Sequence, residues 1–167
     1  MKQSKLILVD GISGSGKDTQ MGFIERFFSE HGYRVHTVHE PSDFLGDFCR
    51  AYRNRSLEAR DGWVEAMLFA ADRRQHYLDR VRPLLEEQGN AVISNRSFVS
   101  SAAYQSLQGV PLDEILRLNE FYPEPDLALV FLCEPQEAVR RIHQRAQETG
   151  KPVSAQENLE RITAIRG

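Results

Sequence analysis

Residues 5–17 read Lys5-Leu-Ile-Leu-Val-Asp10-Gly11-Ile-Ser-Gly-Ser-Gly-Lys17, an apolar run followed by the spacing G-x-x-x-x-G-K of a phosphate-binding P-loop. The residues from Thr19 to Phe28 then carry apolar side chains at helical spacing. In a strand, loop and helix of this kind, the loop N–H groups and the helix N-terminus surround phosphate oxygens, and the lysine adds a mobile positive charge. A glycine-rich turn with an incidental lysine is the alternative, and the periodic flanks disfavour it.

The composition is that of an ordinary globular protein. The chain has 167 residues, enough for a single domain with a sizeable core. Its net charge of −3 gives no reason to expect a nucleic-acid or membrane partner. Two isolated cysteines, Cys49 and Cys133, exclude a disulfide framework or a thiolate metal site and are typical of reduced thiols in a cytoplasmic protein.

Apolar runs alternate with helical patterns along the chain. Four runs are predicted to be strands: Leu6–Val9, Tyr33–Val38, Ala91–Ser94 and Leu127–Leu132. The first, third and fourth are nearly continuous in apolar residues, which suits strands buried on both faces. The alternation predicts a three-layer α/β domain of the P-loop NTPase type, with a parallel sheet flanked by helices and joined by right-handed crossovers.

In such a sheet the ligand crevice lies beyond the carboxyl ends of the strands. Glu40 and Pro41 follow the second predicted strand, and Arg96 follows the third. An arginine there could hold a phosphate with both arms of its guanidinium. A plain turn and a surface arginine remain the alternatives for these two positions.

The longest helix is predicted from about Trp63 to about Arg82, with Pro83 bending or dividing it. Phe69 and Arg73 are four residues apart and therefore share one face of that helix. An aromatic ring beside a multiply donating cation is a suitable receptor for a nucleobase, although, taken alone, Phe69 is more often a core residue and Arg73 more often a solvated one. Further helices are predicted at Ser100–Leu107, Leu112–Phe121, Pro135–Gln147 and Asn158–Arg166, with a surface loop at Thr149–Ser154.

Taken together, the chain from about Lys5 to about Arg161 resembles the thymidylate kinase family of nucleoside monophosphate kinases. The resemblance rests on the P-loop and on six further stretches: His39–Pro41, Leu68–Arg73 (with Gln75, His76 and Gly89 after it), Asn95–Ser97, Ser100–Gln105, Pro125–Leu127 and Arg140–Arg145. It implies ATP-dependent phosphorylation of a deoxynucleoside monophosphate, with dTMP the expected acceptor, and it implies Mg²⁺, a homodimer and a cytoplasmic location. A kinase of another nucleotide or small acceptor, or a catalytically impaired nucleotide-binding protein, remains the alternative.

The resemblance also assigns site residues. Those assigned to ATP are Gly11, Ile12, Ser13, Gly14, Ser15, Gly16, Lys17, Asp18 and Thr19. Those assigned to the acceptor are Glu40, Pro41, Arg50, Phe69, Arg73, Arg96, Ser100, Ser101, Tyr104 and Gln105, with Tyr104 placed to crowd a 2′-hydroxyl. The catalytic cations are Lys17, Arg96, Arg141 and Arg145, the last two in a lid around residues 141–155 that also includes Lys151.

Three positions depart from the family pattern. Ser13 stands where the family usually has a carboxylate, and Asn95 stands where it has Asp. Asp18 replaces the Ser or Thr that normally reaches magnesium. Our hypothesis is that Asp18 is a magnesium ligand that partly replaces the two lost carboxylates. The family also continues into a fifth strand and a last helix, so we expect the natural chain to extend beyond Gly167.

Overall fold

The computed structural model describes residues 2–150, 152–153 and 157–166. Its four strands form one sheet: β1 is Lys5–Gly11, β2 is Arg34–His39, β3 is Asn90–Asn95 and β4 is Leu127–Phe131. Their order across the sheet is β2-β3-β1-β4, and every neighbouring pair is parallel. The predicted parallel α/β architecture is therefore confirmed.

Eight α-helices are described between and after these strands. They are α1 Lys17–Glu30, α2 Gly46–Arg53, α3 Gly62–His76, α4 Arg82–Glu86, α5 Phe98–Ser106, α6 Leu112–Leu118, α7 Pro135–Thr149 and α8 Leu159–Arg166. A single 3₁₀ turn, Leu57–Ala59, separates α2 from α3. Helix α2 was not predicted from the sequence, because its eight residues make only about two turns, too short a stretch to identify by its pattern.

The long predicted helix is divided, but the division lies before its proline. A wide π-helical turn, Tyr77–Val81, separates α3 from α4, and Pro83 sits in the first turn of α4. Proline has no N–H for the carbonyl of the preceding turn, so the backbone widens ahead of it. The helical backbone runs on through Val81 and Arg82 into α4, so the π turn accommodates the N–H that Pro83 lacks.

The two central strands form the core. Alternate residues of β1 and β3 face opposite sides of the sheet. On one side, Leu8 and Val92 pack with Val81 and Tyr122; on the other, Ile93 and its neighbours pack with α1. Helices thus cover both faces, and the carboxyl ends of all four strands open on the same edge.

The expectation that β4 is buried on both faces is wrong. Leu127 is 43% exposed and Val130 is 53% exposed. The strand lies at the end of the sheet and pairs only with β1 among the described residues. An apolar run predicts a strand but carries no information about the strand's place in the sheet, which is set by topology. Within the described part of the chain, none of the helices is long and apolar enough to cross a bilayer.

Candidate active site

The P-loop joins β1 to α1 and lies against α7. Gly14 has a φ of 79°, in the left-handed region that favours glycine. A Cβ at this position would overlap the backbone carbonyl of Ala138 in α7, so the loop and α7 depend on the absence of a side chain there. The cavity over the loop, which we call the P-loop cavity, is lined by Ile12, Ser13, Gly14, Ser15, Gly16, Lys17, Asp18, Thr19, Arg96, Arg141 and Arg145.

Lys17 is held by two of the three residues that depart from the family pattern, Asp18 and Asn95. Its Nζ lies 2.9 Å from Oδ1 of Asp18 and also donates to Oδ1 of Asn95. The lysine side chain is only 9% exposed, whereas Asp18 is 74% exposed. Partial burial opposes the effect, but the hydrogen bond and charge of Lys17 lower the pKa of Asp18. A carboxylate that is ionised at neutral pH therefore lies at the mouth of the phosphate loop.

The end of β1 is tied to the start of α5 through a buried carboxylate. Asp10 is 3% exposed. It accepts hydrogen bonds from Ser97 at 2.8 Å and from Ser100 at 2.5 Å. Ser97 also caps α5 by accepting from the N–H of Val99. These bonds place α5 beside the P-loop.

Arg96 occupies a strained backbone conformation between two cavities. Its φ of 74° makes it the one non-glycine residue with a positive φ among the described residues. Hydrogen bonds hold this conformation, from the Arg96 N–H to the Val9 carbonyl at 2.9 Å and from the Ser94 hydroxyl to the Arg96 carbonyl at 2.8 Å. Strain of this kind persists where the surrounding structure enforces it. Here it turns the guanidinium toward both the P-loop cavity and a second pocket.

The second pocket, which we call the acceptor pocket, shares Arg96 with the P-loop cavity. Its walls come from the end of β2 and from α2, α3 and α5. They are formed by Glu40, Pro41, Arg53, Glu65, Phe69, Arg73, Arg96, Ser97, Ser100, Ser101, Tyr104 and Gln105.

A buried ion pair forms part of that wall. Arg73 is 2% exposed, and its Nε donates to Oε2 of Glu40 at 2.6 Å. Its other nitrogens donate to Asn119 and, at 3.2 Å, to Ser101. Burial raises the pKa of Glu40, and the charge of Arg73 opposes that rise. The Oε1 atoms of Glu40 and Gln105 are buried and accept no hydrogen bond from the described residues.

The structure brings most of the predicted acceptor residues together. Nine of the ten line the acceptor pocket: Glu40, Pro41, Phe69, Arg73, Arg96, Ser100, Ser101, Tyr104 and Gln105. All nine predicted ATP residues except Gly11 line the P-loop cavity, and Gly11 lies at the end of β1 just beside it.

Arg50 is the exception on the acceptor side. It lies on α2, where its Nη2 donates to Asp47 at 2.7 Å in an exposed pair, and the pocket lining does not include it. Arg53, one turn later, lines the pocket instead. Both arginines belong to one local cluster in the sequence. Which of the two lines the acceptor pocket depends on the orientation of α2, a helix that was not predicted. Glu65 also lines the pocket. It lies within an ordinary helical pattern, so nothing in the sequence marked it as a site residue.

The predicted lid is described only in part. Arg141 and Arg145 line the P-loop cavity while paired with carboxylates, Arg141 with Glu137 at 2.7 Å and Arg145 with Glu157 at 3.1 Å. Lys151 and residues 154–155 lie outside the described residues. Among the residues that are described, no cluster of three or more His, Cys, Asp or Glu side chains could hold a metal ion.

The chain is similar to thymidylate kinases over most of its length. The family model for thymidylate kinase matches residues 9–166. A probable thymidylate kinase of Pyrococcus horikoshii is 39% identical, and the match covers 86% of this chain and 72% of the relative. The thymidylate kinase of Caldicellulosiruptor saccharolyticus is 36% identical over 84% of this chain and 70% of the relative. The crystal structure of thymidylate kinase from Ehrlichia chaffeensis matches with a TM-score of 0.66 and 28% identity, covering 88% of this chain and 83% of that one.

Proposed function

Because the chain belongs to the thymidylate kinase family, we propose that its P-loop cavity takes ATP and its acceptor pocket takes the nucleoside monophosphate. The chain is a nucleoside monophosphate kinase that phosphorylates dTMP with ATP as co-substrate. In this reaction a phosphate oxygen of dTMP attacks the γ-phosphorus of ATP, the bond to the β-phosphate oxygen breaks, and dTDP and ADP leave. The comparisons give no support to a different acceptor or to an inactive binding protein.

The observation that carries the assignment is that Arg96 borders both cavities. Phosphoryl transfer needs the donor and acceptor phosphates in line and their negative charge neutralised, with little covalent help from the protein. A cation between the two sites meets both needs. Arg96 would hold the acceptor phosphate and approach the transferring group as well.

On the donor side, we assign residues 11–19 to the ATP phosphates. Lys17 would exchange its bonds to Asp18 and Asn95 for phosphate oxygens. Arg141 and Arg145 would turn from their carboxylate partners toward the transferring group, which the shared lining of the P-loop cavity supports.

On the acceptor side, the orphaned carbonyl oxygen of Gln105 supports recognition of a pyrimidine. Thymine presents one ring N–H between two carbonyls, so a buried acceptor such as Oε1 of Gln105 suits its edge. Arg73 would donate to a base carbonyl, and Phe69 would stack on the ring. Tyr104 would crowd a ribose 2′-hydroxyl and so favour a deoxynucleotide.

Magnesium is expected to accompany ATP, and Asp18 is the residue we assign to it. Mg²⁺ in nucleotide sites takes one or two carboxylates and fills its remaining positions with phosphate oxygens and water. Asp18 fits, since its carboxylate is exposed, ionised and beside the phosphate loop. When bound, the ion neutralises charge on the transferring phosphoryl group.

Two substitutions test the role of Asp18. If it holds magnesium, Asp18→Ala and Asp18→Asn should raise the Mg²⁺ concentration for half-maximal activity by roughly tenfold or more. Asp47→Asn, which removes an exposed carboxylate on α2, is the matched control and should leave that concentration unchanged. Equal or higher activity of Asp18→Ala at the wild-type magnesium requirement would contradict the assignment.

Residues 1–167 would then act as one kinase domain, and a homodimer is supported by exposed apolar side chains on two adjacent helices, α3 and α6. These side chains are Trp63, Val64, Met67, Leu112 and Leu116, each 38–52% exposed. Clusters of this kind mark protein interfaces, and two-fold dimers are the commonest assembly. A cytoplasmic location agrees with two unpaired cysteines, Cys49 buried and Cys133 partly buried.

A panel of acceptors tests the proposal as a whole. ADP release would be measured with ATP and Mg²⁺ against dTMP, dUMP, dCMP, dGMP and thymidine. We expect the highest kcat/KM with dTMP, weaker use of dUMP and no turnover of thymidine, which brings no phosphate. Preference for a purine nucleotide or for a nucleoside would refute the assignment of the acceptor pocket.

A further inference from the structure

The end of strand β1 contacts Arg96 in two ways, through its backbone and through its side chain. The Arg96 N–H donates to the carbonyl of Val9 at 2.9 Å, where the backbone of Arg96 has its positive φ. The guanidinium Nη1 donates to Oγ of Ser100 at 3.1 Å, and that hydroxyl donates to Oδ1 of Asp10 at 2.5 Å. Val9 and Asp10 are successive residues of β1, so one strand end restrains the whole of Arg96.

Ser100 is the link between the carboxylate and the guanidinium. A hydroxyl group accepts one hydrogen bond while it donates another, and the two bonds strengthen each other. The carboxylate of Asp10 is itself fixed, because it is buried and its second oxygen accepts from Ser97 at 2.8 Å. We call this series of hydrogen bonds, from Arg96 through Ser100 to Asp10, the Arg96 relay.

The Arg96 relay holds one nitrogen of the guanidinium and leaves the other two for a ligand. Within the described part of the chain, Nε and Nη2 of Arg96 have no hydrogen-bond acceptor, and the side chain lines both cavities. A flexible arginine loses conformational entropy when it binds a phosphate, whereas a restrained one has already lost it. The relay should therefore favour phosphate binding in one fixed direction.

The serine also keeps the negative charge of Asp10 away from the acceptor. Ser100 lines the acceptor pocket, whereas the described lining does not include Asp10. A carboxylate in direct contact with Arg96 inside the pocket would repel the phosphate and compete for the same nitrogens. Through the hydroxyl of Ser100, the carboxylate can orient the arginine from outside the pocket.

We propose that Asp10 and Ser100 are positioning residues for the acceptor phosphate: Asp10 fixes the hydroxyl of Ser100, and Ser100 orients Arg96 toward the phosphate of the nucleoside monophosphate. The proposal deepens the proposed function and rests on the acceptor pocket assigned there. Asp10 immediately precedes Gly11, the first residue of the P-loop. The relay thus fixes the cation of the acceptor site relative to the donor loop, as in-line transfer between the two requires.

The test compares dTMP with thymidine, which differ only in the phosphate. Dissociation constants for both would be measured by calorimetry, without ATP, for the wild type, Ser100→Ala, Asp10→Ala and Asp10→Asn. We expect Ser100→Ala and Asp10→Ala to weaken dTMP binding about tenfold and to leave thymidine within about twofold. Asp10→Asn keeps an oxygen that can accept from Ser100 but lacks the charge, so its loss for dTMP should fall to about threefold.

The matched control is Ser106→Ala, which removes an exposed hydroxyl from the same helix, α5. Ser106 donates to the carbonyl of Ala102 within that helix and is outside both cavities. We expect this variant to bind dTMP and thymidine as the wild type does.

A double-mutant cycle decides whether Ser100 acts through Arg96. In the Arg96→Gln background the guanidinium is gone, so the addition of Ser100→Ala should weaken dTMP binding by less than about twofold. Effects that multiply in the double variant would overturn the proposal. Equal weakening of dTMP and thymidine in Ser100→Ala would also overturn it, because that result indicates direct contact of Ser100 with the nucleoside.

Unchanged dTMP binding in Ser100→Ala, or in a folded Asp10→Ala, would likewise contradict the relay. If Asp10→Ala does not fold, Asp10→Asn decides the role of the carboxylate. Weakening of dTMP by about threefold with thymidine unchanged then supports that role, and wild-type binding of dTMP opposes it.

Failure of this inference can be told apart from failure of the proposed function. If the wild type prefers dTMP but transfers no phosphoryl group, the function is contradicted and the variants still decide on the relay. If transfer occurs and Ser100→Ala binds dTMP normally, the inference alone fails. A wild type that binds dTMP no more tightly than thymidine would overturn both, because Arg96 would then hold no acceptor phosphate.

Discussion

The buried pair of Arg73 and Glu40 makes a quantitative prediction about stability. Two unit charges about 4 Å apart at an effective dielectric near 20 interact by about 4 kcal/mol. Both side chains are at most 3% exposed. Removal of one partner from such a pair typically costs about 3–5 kcal/mol, because an uncompensated charge stays buried. We therefore expect Arg73→Met to lower the free energy of unfolding by about 3–5 kcal/mol at neutral pH.

The loss should depend on pH in a defined direction. Burial raises the pKa of Glu40 above its ordinary value of 4.5. An acid whose folded-state pKa is raised contributes stability below its unfolded pKa and loses it as pH rises through the folded value. Without Arg73 the folded pKa rises further and the window widens. Arg73→Met should thus be less destabilising near about pH 5 than near about pH 8, because a rising pH favours ionisation of a Glu40 that has lost its partner.

Urea unfolding, followed by circular dichroism and by the fluorescence of the single tryptophan, Trp63, gives these free energies. Arg117→Met is the matched control, because Arg117 is 73% exposed in its pair with Glu114 and should cost under about 1 kcal/mol. Glu40→Gln and the double variant complete a cycle. If the losses of the two single variants sum to the loss of the double variant within about 0.5 kcal/mol, the two charges do not interact. If the loss of unfolding free energy in Arg73→Met does not depend on pH, Glu40 does not have the role given to it here.

Three further predictions concern the site and the assembly. Gly14→Ala forces the P-loop away from Ala138, so the KM for ATP should rise by about tenfold or more while the KM for dTMP changes little. An equal fold-increase in the KM values for ATP and dTMP would contradict this. Arg53→Gln should raise the KM for dTMP by about tenfold whereas Arg50→Gln should change it by less than about twofold, and the reverse order in steady-state kinetics would show that the pocket wall is wrongly assigned. Met67→Glu places a charge on the apolar surface of α3, so we expect light scattering to show a dimeric wild type and a monomeric variant of unchanged helicity. A wild type that is itself monomeric would contradict the dimer.

Local chemistry explains which features could be predicted from the sequence. The P-loop depends on glycine spacing within seven residues, and the same-face placement of Phe69 and Arg73 depends only on helical periodicity. The buried strands β1 and β3 can be predicted from their nearly continuous apolar runs. All of these follow from neighbours along the chain, so no knowledge of the tertiary structure was needed.

Tertiary structure decided the features that depend on residues distant in sequence. The exposure of β4 follows from its place at the end of the sheet, and the choice of Arg53 over Arg50 follows from the direction of α2. The pairing of Arg73 with Glu40 joins residues 33 positions apart. Residue types and spacings determined which groups were available for phosphate chemistry. Only the packing of elements decided which of those groups meet, because buried charges are stabilised by partners that three-dimensional proximity provides.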